Sequence, residues 1–356
     1  MKTNFKKVKV LFFVPSFNGG GAEKVMSLLI NNFNRELFEV IVVSLKQESV
    51  AYNVSADKFI EFKVKRVLFS AFGLCKVIKQ EKPDYLFSTL TYVNTYIGLL
   101  DYFIRFKTVL IARESTIASI NNKQRRLGVL YNFLMLIAYR RFKLIICQSE
   151  SMRRDLNEKF HFSKDKLVII NNPVDKKIDN LLIRQQSDIP IFVTVAMLRK
   201  EKGIERIIEA LALLTYDFKY YIVGDGSERI LLENKVNELK LTDKILFTGF
   251  TNKPYQYLNI ADVYLHGSYY EGFPNVILEA GIYGIPSLVF DSIGGTNEII
   301  RNGLNGFIVN DIKSFSNELN SKFWDKYDNV DIVRHTNSLY NLEIITKQYQ
   351  NIFLTK

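Results

Sequence analysis

"YYEGFPNVILEAGIYGIPSLVFDSIGGTNEII" runs from Tyr269 to Ile300. Pro274 suits the opening of a helix, and "NVILEAGIYG" carries apolar residues at helical spacing until Gly281 or Gly284 stops it. "IPSLVFD" then reads as a strand. Glu271 therefore stands in the loop ahead of the helix, and Glu279 lies a little over one turn inside it. A helix start with unpaired amides and a macrodipole is an anion site. Carboxylates on either side of it suit the hydroxyls of a sugar or a ribose diol. Glycoside hydrolysis would need one protonated carboxyl and a second across a sugar ring, and nothing here suggests that arrangement. The plain alternative is a pair of acidic residues favoured by the helix dipole.

Outward from this stretch the same grammar repeats. "PIFVTVAML", "FKYYIVGDG", "KILFTGF" and "ADVYLHGS" are short apolar strands, separated by helical patterns such as "GIERIIEALALL" and "ERILLENKVNELKL". The first half has its own series: "KVKVLFFVPS", "FEVIVVSL", "DYLFSTL", "TVLIARES", "FKLIICQS" and "KLVIINNP". Near-continuous hydrophobicity marks strands buried on both faces of a parallel sheet. The expectation is an α/β chain of two tandem doubly wound, Rossmann-like domains with a cleft between them, where ligands of open α/β sheets collect. Boundaries fall at 1–175 for the first domain, 176–189 for a linker and 190–335 for the second domain. A final helical segment, 336–356, could cap either domain.

The chain has 356 residues and a net charge of +11. Residues 1–180 hold 30 Lys+Arg against 16 Asp+Glu, a net of +14, whereas the remainder has 18 against 21, a net of −3. That asymmetry points to an anionic surface or substrate facing the first half. The two cysteines, Cys75 and Cys147, stand far apart, as in a reducing compartment. His161, His266 and His335 are scattered and suggest no metal cluster. The opening "MKTNFKKVKVLFFVPSF" reads as a first strand and not as a signal peptide. The uncharged run from Leu127 to Tyr139 has the length of a buried or interfacial helix, and no run is long enough to span a bilayer.

Three further motifs bear on chemistry. "SFNGGGAEKVMSLL" places Gly19, Gly20 and Gly21 after the first strand at the mouth of a helix, without the spaced glycines of a dinucleotide site. "YYIVGDGSERI" places Gly224 and Gly226 after a strand, where a tight turn is an equally good reading. "VAMLRKEKGIERI" puts Arg199 and Lys202 in the loop after the first strand of the second domain. Cations there can meet a diphosphate, at ~1.5–3 kcal/mol for each charge-assisted contact, or remain solvated.

At these residues the sequence resembles the retaining glycosyltransferases of family 4, which have the GT-B fold. "EGFPNVILE" matches the family's Glu–seven residues–Glu signature, and "GGTNEIIRNGLNGFIV" matches the segment after it. "GGGAEK", "IINNPVD", "EKG", "GDG" and "FTGF" follow the family's order and spacing. The resemblance implies that Glu271 holds donor-sugar hydroxyls, with the Gly272 and Phe273 backbone near the sugar. Amides at Asn275 and Val276 would meet the diphosphate, Glu279 the ribose, and the region of Phe250 the base. Lys202 would neutralise the leaving diphosphate, with the Gly20–Gly21 loop closing over it. Where the family often has Gly-Arg, this chain has Ala196 and Met197, so Arg199 is the candidate replacement cation. The loop "ARESTIAS" lacks the histidine of some members, leaving Arg113, Glu114 and Ser115 as candidates for acceptor contact.

The implied reaction is transfer of a sugar, with retention, from a nucleoside diphosphate (uridine by slight preference) to a saccharide acceptor. It needs no cofactor and no metal, and the sequence contains no Asp-X-Asp. "NNKQRRLGVLYNFLMLIAYRRFK" combines basic flanks with an apolar middle, which suits an anionic membrane and hence a lipid-linked acceptor. The expected setting is the cytoplasmic face of a bacterial membrane, in surface-polysaccharide assembly. A sugar-nucleotide epimerase of the same fold is the enzymatic rival. A nucleic-acid-binding protein fits the basic half but not the glycine and glutamate pattern.

Overall fold

The structure, a computed structural model, describes residues 6–45, 51–123, 126–175 and 188–355. The expected linker therefore lies outside the described residues except for Asp188 and Ile189. The chain divides into two compact units, Met1–Asp175 with Leu342–Lys356, and Lys176–Asn341.

The first unit contains β1 (Val8–Phe13), β2 (Phe38–Ser44), β3 (Lys58–Glu61), β4 (Tyr85–Thr89), β5 (Val109–Arg113), β6 (Leu144–Cys147) and β7 (Leu167–Ile169). Helices α1 (Gly21–Asn32), α2 (Ala71–Glu81), α3 (Thr91–Ile104), α4 (Ala118–Lys123), α5 (Gly128–Tyr139) and α6 (Glu150–Phe160) alternate with them. The sheet order is β3-β2-β1-β4-β5-β6-β7, and every pairing is parallel. Val10 and Phe12 of β1 enter one apolar cluster, while Leu11 and Phe13 enter another. That two-residue alternation places a core on each face of the sheet, so the strand reads as unbroken hydrophobicity.

The second unit contains β8 (Ile191–Val195), β9 (Lys219–Val223), β10 (Ile245–Gly249), β11 (Val263–His266), β12 (Tyr270–Glu271), β13 (Ser287–Phe290), β14 (Ile293–Gly294) and β15 (Gly306–Val309). Its helices are α7 (Ile204–Leu211), α8 (Arg229–Glu238), α9 (Tyr255–Leu258), α10 (Asn275–Ile282), α11 (Thr296–Ile299), α12 (Ile312–Asn320) and α13 (Asn329–Tyr340). Six strands form a parallel sheet in the order β10-β9-β8-β11-β13-β15, and β12 pairs separately with β14. The strand order reverses at β8, between β9 and β11. The loops leaving β8 and β11 are thus neighbours at the carboxyl edge of the sheet, the usual ligand position in such folds.

The end of the chain is two helices and not the single segment expected over 336–356. Helix α13 stays in the second unit, where Tyr340 packs against Phe273. Helix α14 (Leu342–Leu354) belongs to the first unit. Its Phe353 sits among Phe12, Phe33, Phe38, Tyr85 and Phe87, with ring centroids 5.2–6.5 Å away. Among the described residues, no helix is long and apolar enough to cross a membrane.

Candidate functional site

Lys202 ends a 3-10 turn, Lys200–Lys202, in the loop after β8. Glu271 ends β12, after the loop that leaves β11. Because β8 and β11 are adjacent strands, the two side chains meet: Lys202 Nζ donates to Glu271 Oε1 at 2.5 Å. Ser268 Oγ donates to the same oxygen at 2.7 Å. Burial pushes the Glu271 carboxyl up, but the Lys202 ammonium and these hydrogen bonds outweigh it and hold the group below its ordinary range.

The backbone of Glu271 is set by glycines further along. Gly294 pairs with Glu271 in the short β12–β14 ladder at φ +125°, and a Cβ there would fall 1.6 Å from the Glu271 carbonyl oxygen. Only glycine fits that close, left-handed approach. This is the physical content of the "GG" in "GGTNEII".

Behind the pair stands His266, the last residue of β11 and almost wholly buried. Its Nε2 lies 3.9 Å from Glu271 Oε1 and has no hydrogen-bond partner among the described residues. Burial, partly offset by Glu271 and reinforced by Lys202 and Arg206, pushes its pKa down to about 4. The imidazole is neutral at pH 7. Arg206 of α7 donates to the carbonyls of Gly267 and Ser268 at 2.8 and 2.7 Å. Its guanidinium is sandwiched 4.2 Å from the Tyr269 ring and 4.1 Å from Phe290. Sequence reasoning missed Ser268, His266 and Arg206. A serine and an arginine on ordinary elements give no pattern, and His266 was legible only as a histidine beside the signature.

Glu279 is the fifth residue of α10 and half-buried. Both glutamates act on Tyr264: its phenol is raised mainly by burial, and also by Glu271 and Glu279. The two carboxylates therefore lie within electrostatic reach of one buried ring. Asn275 and Val276 open α10, and Gly272 and Phe273 connect it to Glu271. The Gly272 carbonyl accepts from Gly295 N at 3.1 Å, and the Phe273 side chain is core. Phe250 follows β10 with an exposed ring. Gly224 N donates to the Gly249 carbonyl, while Leu198 N donates to the carbonyl of Asp225, between the two glycines. Gly224 and Gly226 thus brace the loop that carries Lys202.

Other expected residues are placed differently. Arg199 is exposed, and the carboxylate it pairs with is Glu201, at 3.9 Å; the geometry does not bring it to the Lys202–Glu271 pair. In the first unit, Gly19 and Gly20 donate their amides to Glu23 Oε2 at 3.0 and 3.1 Å, and Ser16 donates to the other carboxylate oxygen. In the Gly20–Gly21 loop expected to close over the diphosphate, the Gly20 amide is already taken by Glu23 in the first turn of α1, which Gly21 opens. Arg113 and Glu114 have no exposed side-chain surface and so cannot touch an acceptor. Arg113 bonds Tyr349, Thr89 and Asn172, and Glu114 accepts from Thr91, Asn94 and Tyr139. Burial raises the Glu114 carboxyl, and those hydrogen bonds oppose it. Ser115 beside them is half-buried. Among the described residues, no group of three or more His, Cys, Asp or Glu side chains could hold a metal ion.

Known proteins resemble this chain along both of its units. A family model described as "Glycosyltransferase Family 4" matches residues 19–177, and one described as "Glycosyl transferases group 1" matches 179–329. The N-acetylgalactosamine-N,N'-diacetylbacillosaminyl-diphospho-undecaprenol 4-alpha-N-acetylgalactosaminyltransferase of Campylobacter jejuni is 28% identical over 317 residues, covering 85% of this chain and 86% of its own. The UDP-Gal:alpha-D-GlcNAc-diphosphoundecaprenol alpha-1,3-galactosyltransferase of Escherichia coli is 25% identical, covering 80% of this chain and 77% of its own. Anabaena HepE, solved with UDP and glucose, superposes with a TM-score of 0.81 at 18% identity, covering 98% of this chain and 100% of its own. Matched along both units and built on the same two-sheet GT-B plan, the chain belongs to the family 4 glycosyltransferases.

Proposed function

We propose that the chain is a retaining glycosyltransferase that moves a sugar from a UDP-sugar to a saccharide on a lipid carrier, in the synthesis of a bacterial surface polysaccharide. The observation that carries this reading is the Lys202–Glu271 pair beside the start of α10. Three oxygen or nitrogen groups converge on Glu271 Oε1, and all of these contacts are to that oxygen. Its partner Oε2 is left to accept from a sugar hydroxyl. Lys202 supplies a cation at the place where the leaving diphosphate gains charge, and helix amides that strengthen with that charge lower the barrier further. With the leaving phosphate oxygen taking the acceptor's proton, attack from the same face requires positioning alone and no protein nucleophile. No metal is required in this scheme, since Lys202 carries the compensating charge.

Two relatives that act on diphospho-undecaprenol carriers support this acceptor class. The first unit supports it independently. Helix α5 exposes Val129, Leu130 and Phe133 together, beside exposed Leu127 and the basic Lys123 and Arg126. An apolar face with basic flanks fits an anionic membrane surface, in keeping with a peripheral position at the cytoplasmic leaflet.

The test is incubation of the purified chain with UDP-galactose, UDP-N-acetylgalactosamine or UDP-glucose and an undecaprenyl-diphosphate-linked saccharide. Transfer with the donor's anomeric configuration is expected. Inverted product overturns the mechanism, turnover without acceptor favours an epimerase, and no turnover of any nucleotide sugar overturns the assignment.

A further inference from the structure

We propose that His266 is a positioning residue whose Nε2 holds Glu271 in place while Lys202 serves the donor's diphosphate. The role rests on the glycosyltransferase reading above. That reading gives the Lys202 ammonium two tasks, an ion pair with Glu271 and compensation of a dianionic leaving group. The stronger its attraction to the diphosphate, the weaker its hold on the carboxylate. A second, uncharged donor to Glu271 removes the conflict, because it keeps the carboxylate oriented without competing for phosphate oxygens.

His266 is the side chain built for that. Its Nε2 is enclosed and lacks a partner among the described residues, where buried polar groups are normally hydrogen-bonded. The carboxylate beside it is Glu271, whose Oε1 is 3.9 Å away, about 1 Å beyond a hydrogen bond. A small swing of the carboxylate closes that gap. The backbone on either side of the imidazole is fixed: Thr194 holds the Leu265 carbonyl at 2.6 Å, and Arg206 holds the Gly267 carbonyl at 2.8 Å. The backbone that carries the ring is thus anchored beside the carboxylate. A purely space-filling role would suit an apolar residue better, as Val263 and Leu265 of the same strand show by packing into the core of the second unit. The titratable and charged groups that face the ring are Glu271, Lys202 and Arg206, with the Tyr264 ring 6.2 Å away. Burial, against the pull of Glu271 and with the help of Lys202 and Arg206, keeps the imidazole uncharged, which is the state this role requires.

The test compares His266→Gln, which retains an N–H, with His266→Leu, which does not. The donor is whichever of the three UDP-sugars turns over fastest, and UDP affinity is measured by calorimetry. In His266→Leu, kcat is expected to fall 10- to 100-fold with UDP affinity within threefold of the wild type. His266→Gln is expected to recover to within fivefold. In the wild type, the histidine side-chain nitrogen signal in 15N NMR is expected to shift when the UDP-sugar is added. A His266→Leu enzyme at wild-type rate beside an inactive Glu271→Ala overturns this role alone. Equal losses of rate and UDP affinity in both His266 variants show a structural residue and overturn it as well. A wild type inert towards every nucleotide sugar overturns this role and the glycosyltransferase reading together.

Discussion

The Lys202 ammonium lies 2.5 Å from Glu271 Oε1, although the two residues stand 69 positions apart in the chain. Two loops on adjacent strands each contribute one half of an ion pair, so neither half has its function alone. Replacing either residue by alanine is expected to lower transfer by roughly 10²–10³-fold, the scale of a lost transition-state charge contact. Lys202→Ala also strands a largely buried carboxylate and costs ~1–3 kcal/mol of stability. The double replacement is expected to cost less than the sum, which a double-mutant cycle in urea measures.

Acid should weaken the second unit before it reaches the carboxylate range. The His266 imidazole takes up a proton near pH 6.5 when unfolded and near pH 4 when folded. Between those values the unfolded state binds more protons, so stability is full above about 6.5 and falls as the pH drops towards 4. The loss amounts to about 3 kcal/mol. Denaturation at pH 7, 5.5 and 4.5 is expected to show the decline in the wild type and a shallower one in His266→Gln.

Gly294→Ala places a methyl against the Glu271 carbonyl at a backbone angle that L residues avoid. The expected result is a hundredfold or greater loss of activity with a stability loss of ~1–3 kcal/mol, since β12 must move. Near-normal turnover would mean that the position of Glu271 matters less than its presence.

The membrane attachment proposed above should depend on a few side chains of α5. Val129→Asp combined with Phe133→Asp removes two exposed apolar contacts worth ~1.5–3 kcal/mol each if fully buried in lipid. Co-sedimentation with phosphatidylglycerol vesicles is expected to fall at least tenfold, and 1 M salt to weaken the wild type in the same assay. Activity on a water-soluble acceptor is expected to persist.

Tyr349→Phe removes the oxygen that Arg113 Nε donates to at 3.2 Å, wholly inside the first unit. The expected cost is ~1–3 kcal/mol in chemical denaturation, because a buried guanidinium loses a partner. The KM for acceptor is expected to be unchanged, in keeping with a structural arginine.

The parts of this molecule that depend on pattern were readable from the chain. Continuous apolar runs such as "VKVLFF" gave the two-faced sheets, and "EGFPNVILE" gave a helix start flanked by Glu271 and Glu279. What was not readable depends on which atoms finally meet. Gly19 and Gly20 looked like open backbone at a helix mouth, yet the Glu23 carboxylate takes both amides. Arg113 and Glu114 looked like loop residues available to substrate, but the core closes over both. Arg199 had the right chemistry in the right loop and turned to solvent, because only the register of the turn decides which of several neighbouring cations faces inward.

The affiliation of α14 fixes the order in which the polypeptide can mature. Residues 176–341 are contiguous, whereas the first unit is interrupted and includes Leu342–Lys356, which are made after the second unit. During synthesis the later unit can therefore finish folding first, and the earlier one waits with its aromatic interior uncovered until Phe353 emerges. A nonsense codon at position 342 would remove α14 and with it Phe353, leaving the amino-terminal half open, exposed to chaperones and proteases.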